Sequence, residues 1–143
     1  MKKITAICIS LTFVTASFSL GHDYLGKFCW TNDEGGIVEM STSSVGDGEH
    51  YAVNGVYYGY DNGIPFNFQL TGNMESSGGA YIPGVLTVAE RRGNLMLSGV
   101  AHVKLNANTL NGDIWVSLRG VNVDTEQGGT AFDSFPLTNI ACP

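Results

Sequence analysis

From about residue 24 onward, apolar and polar residues alternate along most of the chain, and no segment carries a helical period. The clearest run is 64–71, where Ile64, Phe66, Phe68 and Leu70 share one face and Asn67, Gln69 and Thr71 the other. The stretch 94–105 repeats the pattern with Leu95, Leu97, Gly99, Ala101, Val103 and Leu105 against Asn94, Ser98, His102 and Lys104. In 110–120, Leu110, Ile114, Val116 and Leu118 oppose Asn111, Asp113, Ser117 and Arg119, with Trp115 on the polar side. Burial of one face only is the mark of an antiparallel sheet. Weaker alternation over 24–31, 37–42, 50–60, 81–90 and 130–141 brings the expected total to eight strands.

Turn chemistry separates these runs. Asp61-Asn62-Gly63 suits a tight hairpin, since φ > 0 is cheap there. Arg91-Arg92-Gly93 and Asn106-Ala107-Asn108 are expected as short links, and Ser76-Ser77-Gly78-Gly79 and Glu126-Gln127-Gly128-Gly129 as flexible ones. No linker divides the chain, and no strong internal repeat stands out. Glycines also fall inside the strands, at 26, 55, 59, 72, 84, 99, 112 and 120. Such glycines weaken a strand unless it bends sharply or approaches another backbone closely, as in a small closed barrel. The expected fold is therefore all-β: a single antiparallel up-and-down barrel of about eight strands, with a β-sandwich as the alternative.

The first residues follow a different pattern. Lys2 and Lys3 precede an apolar run over 4–14 and a stretch of mostly small residues over 15–21. This reads as a signal peptide over 1–19, with cleavage between 16 and 21, followed by one domain over 20–143. The expected location is periplasmic or secreted. The lack of an Asn-x-Ser/Thr sequon points toward a bacterial exported protein.

Loss of Lys2 and Lys3 takes the formal charge from -6 to -8. That balance argues against nucleic acid and anionic lipid surfaces as partners and leaves room for a cationic one. Cys8 departs with the signal, leaving Cys29 and Cys142 near opposite ends of the mature chain. In an oxidising compartment they are expected to form one disulfide, which makes the first and last strands neighbours. No Cys-x-x-Cys spacing or His motif marks a metal site, and nothing calls for a cofactor. His22 as a new N-terminus could chelate copper with a second histidine, but the spacing carries no such signature.

Gly26-Lys27-Phe28-Cys29-Trp30 opens the first strand, with Gly26, Phe28 and Trp30 on one face. This resembles the opening strand of the calycin barrels, the lipocalins and avidins, which carry Gly-x-Trp near their start. Here Phe28 stands at the Trp position and Trp30 follows two residues later. The resemblance implies architecture only.

The densest aromatic cluster is Tyr51, Tyr57, Tyr58 and Tyr60, with Tyr51 and Tyr57 on one face and Tyr58, Tyr60 and His50 on the other. Tyrosine pairs an apolar ring with a hydrogen-bonding tip. Trp30, Tyr51, Tyr57, Tyr58, Tyr60, Tyr81 and Trp115 are the candidate ligand-binding residues. Glu39, Glu49, Asp113 and Asp133 are possible acid–base carboxylates, and Ser98-Gly99 lacks the helix a nucleophile elbow needs. The favoured function is non-catalytic binding of an apolar small molecule or a protein partner. The alternatives are an inhibitor-like module acting on a basic secreted protein, and a small barrel hydrolase or isomerase depending on His50 or Asp113. An outer-membrane barrel is a further alternative. The terminal Ala141-Cys142-Pro143 lacks the aromatic end common in that class.

Overall fold

The computed structural model describes residues 24–143. The expected signal segment, with Cys8, His22 and the cleavage position, lies outside the described residues. The described residues form eight strands and no helix: β1 (Gly26–Thr31), β2 (Ile37–Ser44), β3 (His50–Asp61), β4 (Ile64–Glu75), β5 (Tyr81–Arg92), β6 (Leu95–Asn106), β7 (Gly112–Asn122) and β8 (Gly128–Ile140). Each strand pairs antiparallel with its sequence neighbours, and β8 returns to β1 to close the ring.

The alternation read from sequence becomes inside and outside. On β5, Ile82, Leu86 and Val88 are buried while Tyr81, Val85 and Thr87 are exposed. Trp30, Val38, Met40, Val53, Phe68, Leu70, Leu86, Val103, Leu105, Ile114 and Leu137 belong to one core inside the ring. Small residues make so tight a ring possible. A Cβ at Gly72 would run into the Val85 carbonyl, and one at Gly99 into the Ser117 carbonyl. Such close approach explains glycine within these strands.

The turns follow from local chemistry. Asn62 and Gly63 have φ of 50° and 81°, the paired positive values of a type I′ hairpin. Asn32, Asp47, Asn106 and Asn122 each accept one or two backbone N–H bonds from residues two to four positions on, which holds the turns at 32–36, 45–49, 107–111 and 123–127.

Several boundaries differ from the sequence pattern. β5 continues to Arg92, so the expected Arg91-Arg92-Gly93 link shrinks to Gly93-Asn94. Glu90 and Arg92 pair with each other, which lets charged residues continue an inward-facing strand. β7 begins at Gly112 because Leu110 takes φ +58° in the turn before it. The alternation groups Ile64 with the core face of its strand, but Ile64 is 63% exposed at the end of the ring.

Cys29 and Cys142 form a disulfide with a Cα–Cα separation of 5.1 Å. It reinforces the thinnest seam of the ring. β1 and β8 share only the pairs Cys29↔Ile140, Trp30↔Asn139 and Thr31↔Thr138, whereas β5 and β6 pair along their whole length. Residues 128–137 of β8 therefore have no β1 partner, and the wall is incomplete beside the 32–36 turn.

Candidate functional site

The two ends of the ring differ. At one end, side chains fill the interior. Trp30 is buried and its Nε1 donates to the Leu110 carbonyl at 2.7 Å. Tyr24 donates to the Ala107 carbonyl at 2.9 Å, and its ring meets Tyr51 edge-on at 6.0 Å. Met74, Ile82 and Leu105 complete the plug, and the space left among these groups is about 20 Å³.

The other end opens into a cavity of about 700 Å³. Its walls come from β3 through β8. Phe66, Phe68 and Leu70 (β4), Val88 (β5), Leu95 and Leu97 (β6), Ile114, Val116 and Leu118 (β7) and Phe135 (β8) supply the apolar surface. Four aromatic rings cluster on one side. Tyr57 stacks on Phe68 at 6.4 Å and on Phe135 at 5.4 Å and meets Phe66 edge-on at 5.6 Å.

Tyr57 is held in place from behind. Its hydroxyl accepts a hydrogen bond from Asn32 Nδ2 at 3.1 Å, and Asn32 Oδ1 accepts from the Gly36 N–H at 2.6 Å. Asn32 is itself buried. Gly36 has no side chain because Tyr57 occupies that space, a Cβ there falling 2.5 Å from the ring. Burial pushes the Tyr57 hydroxyl pKa above its ordinary value of 10.0. The Asn32 bond opposes this, and the negative charges of Glu34, Asp133 and Asp33 add to the rise. The hydroxyl is therefore a neutral hydrogen-bonding group.

Few polar groups line the cavity. Arg92 reaches in from the end of β5, its guanidinium 4.8 Å from the centre of the Phe66 ring. Its Nε and Nη2 donate to the two carboxylate oxygens of Glu90 at 3.1 and 2.9 Å. The Glu90 side chain is only 7% exposed. Such a forked pair fixes both groups and offsets both charges. Glu34 in the β1–β2 turn, Asp133 on the inner face of β8, and Gln127 complete the polar lining. Every buried side-chain nitrogen and oxygen among the described residues has a partner.

The residues singled out from sequence are distributed unevenly. Tyr57 lies in the cavity wall and Tyr60 at its rim. Trp30 and Tyr51 belong to the filled end. Tyr58 and Tyr81 face outward and are about half exposed, with Lys104 Nζ 4.1 Å from the centre of the Tyr81 ring. Trp115 is on the outer side of β7, opposite His102 and Ser134. The proposed catalytic groups His50 and Asp113 are outside the ring. His50 pairs with Asp47 in the 45–49 turn, and Asp113 is opposite Lys104 and Pro136. Glu39 pairs outside with Lys27 at 2.9 Å, and Glu49 is exposed in its turn. Of the four candidate carboxylates, Asp133 alone lines the cavity.

Sequence reading placed Phe66 and Phe68 in the core without seeing that they line a cavity. It also missed Glu90, Arg92, Asn32 and Glu34. One signal was available: Ile82, Leu86, Val88, Glu90 and Arg92 share one parity, so the last two face inward with the first three. No three His, Cys, Asp or Glu side chains among the described residues cluster closely enough to hold a metal ion. The chain matches no protein-family model and no curated protein sequence.

Proposed function

We propose that this protein is an exported, non-catalytic carrier whose lumen binds one small, mostly apolar molecule. The observation that carries this reading is the cavity of about 700 Å³, walled by Phe66, Phe68, Leu118 and Phe135 and open at one end. Ligand pockets run from about 300 to 1,000 Å³ and combine apolar walls with a few placed polar groups. An eight-stranded barrel is just wide enough to hold one such ligand or to be filled by its own side chains. This chain uses both options, one at each end. The eight-stranded meander and the opening Gly26-Phe28-Trp30 face support a calycin-like barrel, with Trp30 as the end plug.

Exposed Asn54, Asn67, Gln69, Thr71 and Asn73 outside, against an apolar interior, favour an aqueous setting over a lipid one. The Cys29–Cys142 disulfide is compatible with an oxidising compartment. The hydrolase or isomerase alternative put its chemistry on His50 and Asp113, and both lie outside the ring.

Titration with a neutral naphthylamine dye that brightens in apolar surroundings tests the reading. The expected result is saturable uptake of one dye per chain, lost in Leu118→Trp, which fills the lumen. A dye that stays dark with the native protein, or that brightens equally with Leu118→Trp, overturns it.

A further inference from the structure

The charges around the cavity are unequal. Four ionised side chains belong to its wall or lie directly behind it: Arg92, Glu90, Glu34 and Asp133. The single cation is held by both oxygens of Glu90 and lies against the Phe66 ring. Its charge is offset before any ligand arrives. Glu34 and Asp133 have no ion-pair partner among the described residues. Asp133 accepts only the N–H of Ser134, at 2.8 Å.

These two carboxylates flank the incomplete side of the wall. Glu34 is in the β1–β2 turn, and Asp133 is on the part of β8 that β1 leaves unpaired. Tyr57 lines the same cavity as both carboxylates, and its ring is stacked on Phe135. The entrance thus joins two features in one place: free negative charge, and a face of aromatic rings. Aromatic faces attract cations through their quadrupole, most strongly when the cation is desolvated. A carboxylate at the same opening adds direct Coulomb attraction, which solvent screens in part because Glu34 and Asp133 are both exposed. Asp33, Asp124 and Glu126 in the neighbouring turns outnumber exposed Arg91 at the same end and extend the negative field outward, which favours capture of positive ligands.

We propose that the lumen selects an organic cation with an apolar body, an amphiphilic ammonium compound. Its tail lies among Phe68, Val116 and Leu118. Its charged head rests at Glu34 and Asp133 against Tyr57 and Phe135. An anionic amphiphile would have to displace Glu90 from Arg92 and pass two unpaired carboxylates. This inference rests on the carrier reading, and gives the ligand a charge as well as an apolar body.

The test is competition against the neutral dye by three compounds of equal chain length: octyltrimethylammonium, octanol and octanoate. The cation should displace the dye on the order of tenfold more tightly than the alcohol, and octanoate should be the weakest. Added salt should weaken the cation and leave the alcohol unchanged. Asp133→Asn and Glu34→Gln should each remove a few-fold of the cation's preference, read as the ratio of cation to alcohol affinity within the same variant. Equal displacement by cation and alcohol, or strongest displacement by octanoate, overturns the inference and leaves the carrier reading standing. Failure of the dye and of all three compounds to bind overturns both.

Discussion

The turns 107–111 and 123–127 are built alike at opposite ends of the ring. Asn106-Ala107-Asn108-Thr109-Leu110-Asn111-Gly112 matches Asn122-Val123-Asp124-Thr125-Glu126-Gln127-Gly128 in type at nearly every position. In both, the opening Asn side chain accepts the N–H groups two and three residues on. In both, the backbone is tied across the base, from the Asn106 N–H to the Asn111 carbonyl and from the Asn122 N–H to the Gln127 carbonyl. The fifth residue takes φ of 58° in one and 56° in the other. At that position one turn carries Leu110, packed against the core under Trp30, and the other carries exposed Glu126. The backbone is the same at the plugged end and the open end. A handful of side chains decides which end is filled and which is open.

The largest expected effect comes from the seam that only the plugged half of the ring shares. Replacing Cys29 and Cys142 together with Ala should lower stability by about 4–5 kcal/mol at most, the chain-entropy value for so long a loop. Urea unfolding of the native and double-Ala proteins measures this. Hydrogen exchange of the double variant should show earliest loss of protection in 26–31 and 138–140, where three residue pairs are all that join β1 to β8. Uniform loss of protection around the ring would show that the β1–β8 seam is no weaker than the rest.

Truncation of one aromatic at each end is the next comparison. Trp30→Ala empties a packed, hydrogen-bonded plug and should cost about 3–5 kcal/mol. Phe66→Ala faces a space that is already open, so only part of its transfer energy is lost, about 1–2 kcal/mol. Its larger effect should fall on dye binding, because the Tyr57 and Arg92 contacts go with it. Equal destabilisation at the two sites would mean that the open end is not open in solution.

Much of this architecture was legible beforehand. Period-two alternation fixed which residues face inward. Asn62-Gly63 specified a turn whose geometry follows from φ alone, and Cys29 and Cys142, with Cys8 set aside in the expected signal, implied that the first and last strands meet. The cavity was not legible, because Phe66 and Leu86 obey the same inward parity whether the space they face is filled or empty. Volume is a property of the closed ring, summed over eight strands, and no local pattern encodes it. Tyr58 and Tyr60 drew attention as aromatics, yet their parity turns them outward, and only Tyr60 reaches the rim. The match between the two turns is faint in sequence because it spans only seven residues and changes character at its fifth.

That fifth position gives a finer test. A residue other than Gly or Asn at positive φ is strained by about 1 kcal/mol, and Asn relieves part of that strain. Glu126→Asn should therefore raise stability by about 0.5–1 kcal/mol. Leu110→Asn gains the same relief but removes a side chain packed on the core, and should lower stability by about 1–2 kcal/mol. Opposite signs from one substitution in two matching turns would separate backbone strain from plug packing. Stabilisation at both sites would show that Leu110 contributes little to closing the end.

The smallest effect concerns the 45–49 turn, also at the plugged end. Asp47 bonds the His50 ring and the backbone N–H groups of Glu49 and His50. Its carboxyl is lowered from 3.8 to about 2, chiefly by the two backbone bonds and then by the His50 ring. The His50 ring is raised above 6.5, chiefly by its bond to Asp47. The histidine's contribution to stability is complete below its unfolded value near 6.5 and fades as pH rises through the higher folded value. The aspartate's contribution is complete above 3.8 and fades as pH falls through about 2. The turn is therefore tightest between about pH 4 and 6.5 and loosens toward neutral and alkaline pH. An NMR titration of the His50 ring should give a midpoint above 6.5 that falls in Asp47→Asn, with no change in dye binding at the far end. A dye affinity that follows the His50 titration would show that the two ends are coupled through the ring.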